Sequence, residues 1–162
     1  MSIEQVRAYL KPLGLEERVR ELGASSATVE LAAQALGVEP ARIAKTMSFY
    51  TQQPDQCILI VAAGDQKISS GKFKQQFGWK ARMLSAEDVE RLTGHAPGGV
   101  CPFANPEGCQ VYLDVSLQRF STVFPAAGSA NSAVEMCPQE LEQAARAVQW
   151  VDLCKAPAVE GG

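Results

Sequence analysis

Two apolar runs in the middle of the chain, Ile43 to Tyr50 and Cys57 to Ala63, constrain its fold more than any other feature. The first mixes β-branched and aromatic residues after a turn at Pro40, the second is almost wholly apolar, and both read as strands. Residues 51–56 between them are polar and include Pro54-Asp55, which suits a hairpin that pairs the two strands antiparallel. Lys45 then projects from a central strand beside Ile43, Ala44 and Met47, an unfavourable place for an ammonium. It either snorkels to water, the common behaviour of a lysine, or binds a phosphate or carbonyl oxygen in a pocket.

Around this hairpin the pattern is mostly helical. A first helix is predicted through about Leu10, ending at Pro12-Leu13-Gly14, and a short second one over residues 15–22. A third follows the hydroxyl caps offered by Ser25, Ser26 and Thr28, with Val29, Leu31, Ala32, Ala35 and Leu36 at helical spacing before Gly37. Ser69 and Ser70 precede a helix to Phe77, and Ser85 with Asp88 forms the pattern of a capping box for a helix to Leu92. Residues 111–115 and 121–127 read as strands, and Gly128-Ser129-Ala130-Asn131 turns the chain so that 133–136 return as a second hairpin. Pro138 opens a helix over 139–147, and 148–153 supply a last strand.

The 162 residues fit one domain, 1–162, able to bury about two-thirds of its unfolded surface, and 46% apolar with 20% charged residues implies a packed core. No apolar run approaches the roughly 20 residues that span a bilayer, so no membrane partner is expected. Met1-Ser2-Ile3-Glu4-Gln5 carries neither a basic nor an apolar leader, which makes the cytoplasm the expected location.

The five cysteines, Cys57, Cys101, Cys109, Cys137 and Cys154, form an odd set without a CxxC pair, which argues against a disulfide framework and a compact zinc site. No metal or cofactor is expected. Net charge is −3, yet between Gln66 and Leu84 lie Lys67, Lys72, Lys74, Lys80 and Arg82 without a single acid. That stretch is either a solvated helix face or a patch that attracts a polyanion. GxxxxGK[ST], GxGxxG, HExxH and GxSxG are absent, so nucleotide hydrolysis and the common hydrolase sites lose support.

The chemistry concentrates in the aperiodic loop Gly94-His95-Ala96-Pro97-Gly98-Gly99-Val100-Cys101-Pro102. Gly98-Gly99 lets amide N–H groups approach a ligand without Cβ interference, as an oxyanion hole requires, although the same residues also make an ordinary rigid turn. Cys101 and His95 share the loop and could form a thiolate and its base, but such pairs usually converge from separate parts of a fold.

Three segments together resemble the YbaK/EbsC family of aminoacyl-tRNA deacylases, related to the editing domain inserted in bacterial prolyl-tRNA synthetases. Residues 28–38 run into Ile43-Ala44-Lys45-Thr46 like the family's helix and lysine-bearing strand. Gly94, Pro97, Gly98, Val100 and Pro102 match GxxPGxVxP at every fixed position, with His95 and Cys101 at variable ones. Residues 124–134 are similar to the family's strand-turn-strand. The resemblance implies an α/β fold of the α+β type, with a mixed, mostly antiparallel, barrel-like sheet surrounded by helices.

It further implies hydrolysis of mischarged aminoacyl-tRNA, on proline tRNA, by a positioned water and oxyanion stabilisation, with no protein nucleophile, metal or cofactor. Lys45 would contact the terminal adenosine's phosphate or the ester, the Gly98 and Gly99 amides would face the carbonyl oxygen, and Thr46, Pro97, Val100, Ser129 and Ser132 would bind substrate. The implied partners are the acceptor end of aminoacyl-tRNA and an aminoacyl-tRNA synthetase, not DNA. Lys67, Lys72, Lys74, Lys80 and Arg82 are candidates for RNA backbone contacts. The competing expectations are a non-catalytic RNA- or synthetase-binding module and a thiol hydrolase built on Cys101.

Overall fold

The computed structural model describes residues 2–155, and the predicted hairpin is its centre. In chain order the elements are α1 (Ser2–Leu10), β1 (Val19–Glu21), α2 (Val29–Leu36), β2 (Ile43–Tyr50), β3 (Cys57–Ala63) and β4 (Lys67–Ile68). There follow α3 (Ser70–Phe77), α4 (Ala86–Thr93), β5 (Cys109–Asp114), β6 (Phe124–Pro125), β7 (Ser132–Val134), α5 (Pro138–Ala145), β8 (Gln149–Val151) and β9 (Cys154–Lys155). Strands β2 and β3 pair antiparallel from Ala44 opposite Ala63 to Tyr50 opposite Cys57.

A five-stranded mixed sheet forms in the order β6-β2-β3-β5-β8, flanked by helices. The expected predominance of antiparallel pairing describes the hairpin and the two small ribbons, β1 with β7 and β4 with β9. Within the five-stranded sheet the other three pairings are parallel. The cause is connection length: residues 64–108, with α3 and α4, carry the chain from β3 back to the start of β5, and a crossover of that kind delivers a parallel neighbour.

All seven residues of β3 are buried, as expected of a strand covered on both faces. On one face Leu59, Val61 and Ala63 pack with Val6 and Leu10 of α1, Leu141 and Ala144 of α5, and Phe103. On the other, Ile58 and Ile60 meet Phe49, Phe73 of α3 and Leu153. Each fully buried side chain of this size contributes about 1.5–3 kcal/mol.

The local signals act as expected at α2, where the Thr28 hydroxyl accepts from the Leu31 amide at 3.2 Å, and at α3, where Ser69 accepts from Lys72 at 3.3 Å. Three local expectations are corrected. Residues 15–22 form a single 3₁₀ turn at 16–18 and then β1, because pairing with β7 overrides a weak helical pattern. Ser85 does not cap α4; its hydroxyl lies 3.4 Å from Asp88 and 3.1 Å from the Tyr50 hydroxyl. The second hairpin survives as one antiparallel bridge, Val123 to Met136, since β7 turns to pair with β1 instead. Among the described residues no helix is long and apolar enough to cross a membrane.

Candidate active site

The 94–102 loop owes its shape to Pro97-Gly98. The Gly99 amide donates to the Ala96 carbonyl at 3.0 Å, and Gly98 has φ of +89°. These are the marks of a type II turn, which favours proline at its second position and requires φ above zero at its third. Gly99 is fixed by crowding: a Cβ there would lie 2.9 Å from the Gly128 carbonyl oxygen and 3.0 Å from Ser129 Cα. The pair of glycines therefore divides its labour. Gly98 supplies the turn and carries no hydrogen bond on its own amide among the described residues, while Gly99 locks the loop to the 128–132 turn.

Lys45 extends from β2, half-buried, and its ammonium donates to the Gln66 backbone carbonyl. Burial lowers its pKa from the ordinary lysine value, against the partial opposition of Asp65. Asp65 is itself held by a bidentate pair with Arg119, at 2.6 and 3.1 Å, so the turn that receives Lys45 is fixed from outside. The strand's two-residue alternation sends Lys45 to the α3 face of the sheet and Thr46 to the opposite one.

Both nevertheless line one cavity of about 310 Å³, which Pro97, Gly98, Val100 and Ser132 also line. Lys45 and the loop, remote in sequence, thus border one cavity, the loop through Gly98 and not Gly99. Gly99 and Ser129 do not line this cavity; they face a separate depression of about 520 Å³ on the other side of the loop. Ser129 reaches the site indirectly, its hydroxyl donating to Ser132 Oγ at 2.8 Å. Ser132 is buried and its hydroxyl also accepts from the Ala127 amide at 3.3 Å.

Several lining residues escape sequence reasoning. Ser26 and Thr28 arrive from the segment before α2, Met83 and Leu84 from the segment before α4, and Ser48 lies two residues beyond Thr46 on the same face of β2. Only Ser48 carried a local signal, a hydroxyl in step with Thr46 along an otherwise apolar strand. Met83, 57% exposed, stands at the cavity as an uncovered apolar residue.

Of the basic candidates, Lys67, Lys74, Lys80 and Arg82 are exposed. Lys72 is committed, its ammonium 3.0 Å from Asp152 and 2.9 Å from the Cys154 carbonyl. Arg82 stacks over the Tyr50 ring at 4.3 Å and leads directly into Met83.

Cys101 and His95 do meet, Sγ lying 3.4 Å from Nε2, but both are fully buried and neither lines the cavity. Nε2 is also 2.7 Å from the Phe103 carbonyl, which can only accept, so this nitrogen carries the proton. Burial pushes the Cys101 thiol up to about 12 and holds His95 below its usual pKa. A neutral thiol beside a neutral imidazole is the reverse of an activated nucleophile.

Comparison with known proteins adds a family. The family model described as Aminoacyl-tRNA editing domain matches residues 24–144. An uncharacterized protein of Bacillus subtilis (strain 168), YwhH, is 53% identical over 155 residues, spanning 96% of this chain and 98% of that one. A proline–tRNA ligase of Limosilactobacillus fermentum is 26% identical over 113 residues, 67% of this chain and 20% of the ligase. Among solved structures, one described as a candidate trans-editing enzyme for prolyl-tRNA synthetase superposes with a TM-score of 0.85 at 31% identity, covering 96% of this chain and 98% of that one. The hypothetical protein APE2540 superposes at 0.82 with 30% identity, over 93% and 99% of the two chains.

Proposed function

Because the chain belongs to the aminoacyl-tRNA editing domain family, we propose that it hydrolyses the ester of wrongly charged tRNA, working in trans as a single domain. The observation that carries this reading is the convergence of Lys45 and Gly98 on one cavity. Its volume, about 310 Å³, lies at the small end of ligand sites, suited to an aminoacyl group with the edge of its nucleoside.

An aminoacyl ester is already activated, so the protein has only to place water and stabilise charge. Water attacks the ester carbonyl carbon, the Gly98 amide receives the developing oxyanion, and the Lys45 ammonium exchanges the Gln66 carbonyl for the ester region or the terminal phosphate. Collapse breaks the bond to the ribose oxygen, which takes up the proton released by the water, and free amino acid and tRNA leave. Gly99 acts by fastening the loop, not by donating to the oxyanion, because Ala96 already occupies its amide. Thr46, Pro97, Val100 and Ser132 shape the substrate site, and Ser129 supports Ser132.

The acceptor end would approach across Lys67, Lys74, Lys80 and Arg82, with Lys72 contributing less because of its pairing with Asp152. The likeness to a proline–tRNA ligase and to a candidate prolyl-tRNA trans-editing enzyme supports proline tRNA as the carrier and a synthetase as the partner, acting in the cytoplasm. A second reading, a non-catalytic RNA- or synthetase-binding module, is favoured by one observation: among the described residues no Asp, Glu or His lines the cavity.

The test is a panel of aminoacyl-tRNAs that includes alanyl and cysteinyl forms of proline tRNA, assayed with the wild type and Lys45→Ala. Turnover of at least one member, strongly reduced in the variant, is expected. RNA binding without turnover across the panel would overturn the deacylase reading in favour of the binding module.

A further inference from the structure

The outer edge of β2 is occupied at both ends and bare between them. At Ile43 and Ala44 it pairs with β6, and further on the Leu84 amide donates to Ser48 O at 3.1 Å while the Tyr50 amide donates to Arg82 O at 2.9 Å. Between these, at residues 45–47, no described strand pairs with this edge. Backbone N–H and C=O groups along a strand turn alternately to its two sides. The period that directs Ser48 and Tyr50 toward residues 82–84 therefore directs the N–H and C=O of Thr46 into the gap, and the cavity lies there.

Thr46 presents a third group in the same place. Its Oγ1 is buried and has no hydrogen-bond partner among the described residues, an unfavourable state unless a ligand supplies the missing bond. The Ser48 hydroxyl is its neighbour on the same face of the strand. Among the described residues no carboxylate lines the cavity, so an amine entering it must be held by neutral oxygen acceptors, and Thr46 offers its carbonyl and its hydroxyl. Lys45, whose ammonium rests on the Gln66 carbonyl, and Gly98 also border the cavity, and a cation and an amide N–H both call for an acceptor rather than a cationic amine. The two ends of an aminoacyl ester are thereby sorted, carbonyl oxygen toward Lys45 and Gly98, amine toward Thr46.

We propose that Thr46 binds the α-amino group of the acyl moiety, so that the site selects esters of α-amino acids over esters of other acids. The assignment rests on the editing reading and adds to it the group by which the acyl part is recognised.

The experiment compares the aminoacyl-tRNA that the wild type turns over fastest with the same tRNA bearing the deamino acid, propionate in the case of alanine. Each rate is divided by that of spontaneous hydrolysis, in the wild type, Thr46→Val and Thr46→Ser. The wild type is expected to prefer the α-amino ester by roughly tenfold or more, the scale of one or two hydrogen bonds. Thr46→Val should lose most of that preference and Thr46→Ser should keep it. A wild-type ratio near one, or a ratio that Thr46→Val leaves intact, overturns the assignment and leaves deacylation standing. Absence of turnover on every aminoacyl-tRNA removes the editing reading and this assignment with it. Thr46→Val should fold, because a methyl replaces a hydroxyl that has no partner among the described residues; if it does not, the wild-type ratio and Thr46→Ser decide.

Discussion

Lys45 and Thr46 are consecutive on β2 and leave opposite faces of the sheet, yet both line the same cavity. This is possible because the cavity wraps around the strand's unpaired edge, where a ligand can touch both faces and the backbone between them. A cationic and a neutral side chain that leave opposite faces of the sheet thus border one cavity.

Replacing Lys45 tests the cationic side. Lys45→Ala should lower deacylation by about 10²–10³-fold, the usual cost of losing one charge-stabilising donor, measured as single-turnover rates.

Lys45→Met should also change stability in a pH-dependent way. Burial lowers the folded-state pKa of Lys45, so between that pKa and the unfolded value the unfolded chain binds more protons, and wild-type stability rises with pH. Below the folded pKa both states are protonated and the full penalty of the buried ammonium applies. The variant should therefore be the more stable protein at neutral pH, by a margin that shrinks as pH rises through the folded pKa. Denaturant titrations across that range check the sign; a margin that widens contradicts it.

The loop glycines should separate by chemistry. At Gly98, with φ of +89°, Asn should be tolerated better than Val, whose branched side chain resists that conformation, with Val costing about 1–2 kcal/mol more than Gly. Gly99→Ala should fail for a different reason, contact with the backbone of Gly128 and Ser129, and should be destabilising even though alanine is the smallest substitution. Melting curves of the three variants distinguish the two causes.

Thr46→Val should raise the melting temperature while lowering activity. Removing an unpartnered buried hydroxyl relieves a cost of about 1–3 kcal/mol, partly offset by imperfect packing of the added methyl. A melting temperature lowered by several degrees would mean that the hydroxyl is satisfied within the protein.

Thiol reagents should leave deacylation intact. Cys101 is fully buried with its thiol pushed up to about 12, and the contact to Cys57 with burial pushes the Cys109 thiol up as well, so the half-buried Cys137 should react with iodoacetamide first, and Cys101→Ala should stay within about twofold of wild-type activity. Rapid inactivation that maps to Cys101 would revive the thiol-hydrolase reading.

The hairpin, the lysine on its first strand and the turn made by Pro97-Gly98 were legible because each depends on residues close in sequence. The type II turn carries further information. Proline and glycine at its centre imply that the next amide, Gly99, is bound back to Ala96, so the turn itself takes up that donor. Residues 15–22 were misread because the deciding interaction, pairing with Ser132–Val134, lies over a hundred positions away. Ser85 was misread as a cap because the Tyr50 hydroxyl competes for the same atoms. Met83 and Ser26 reach the cavity only through tertiary packing, and no local pattern marks them.

An open strand edge normally invites another chain to add itself, which is how sheet proteins begin to aggregate. On β2 the vacancy spans residues 45–47, bounded by β6 on one side and by the bridge from Phe49 to Met83 on the other. Intermolecular zippers need segments of about six residues, so a foreign strand finds no purchase there. The protein exposes peptide hydrogen-bonding capacity to a small solute while denying it to a polypeptide.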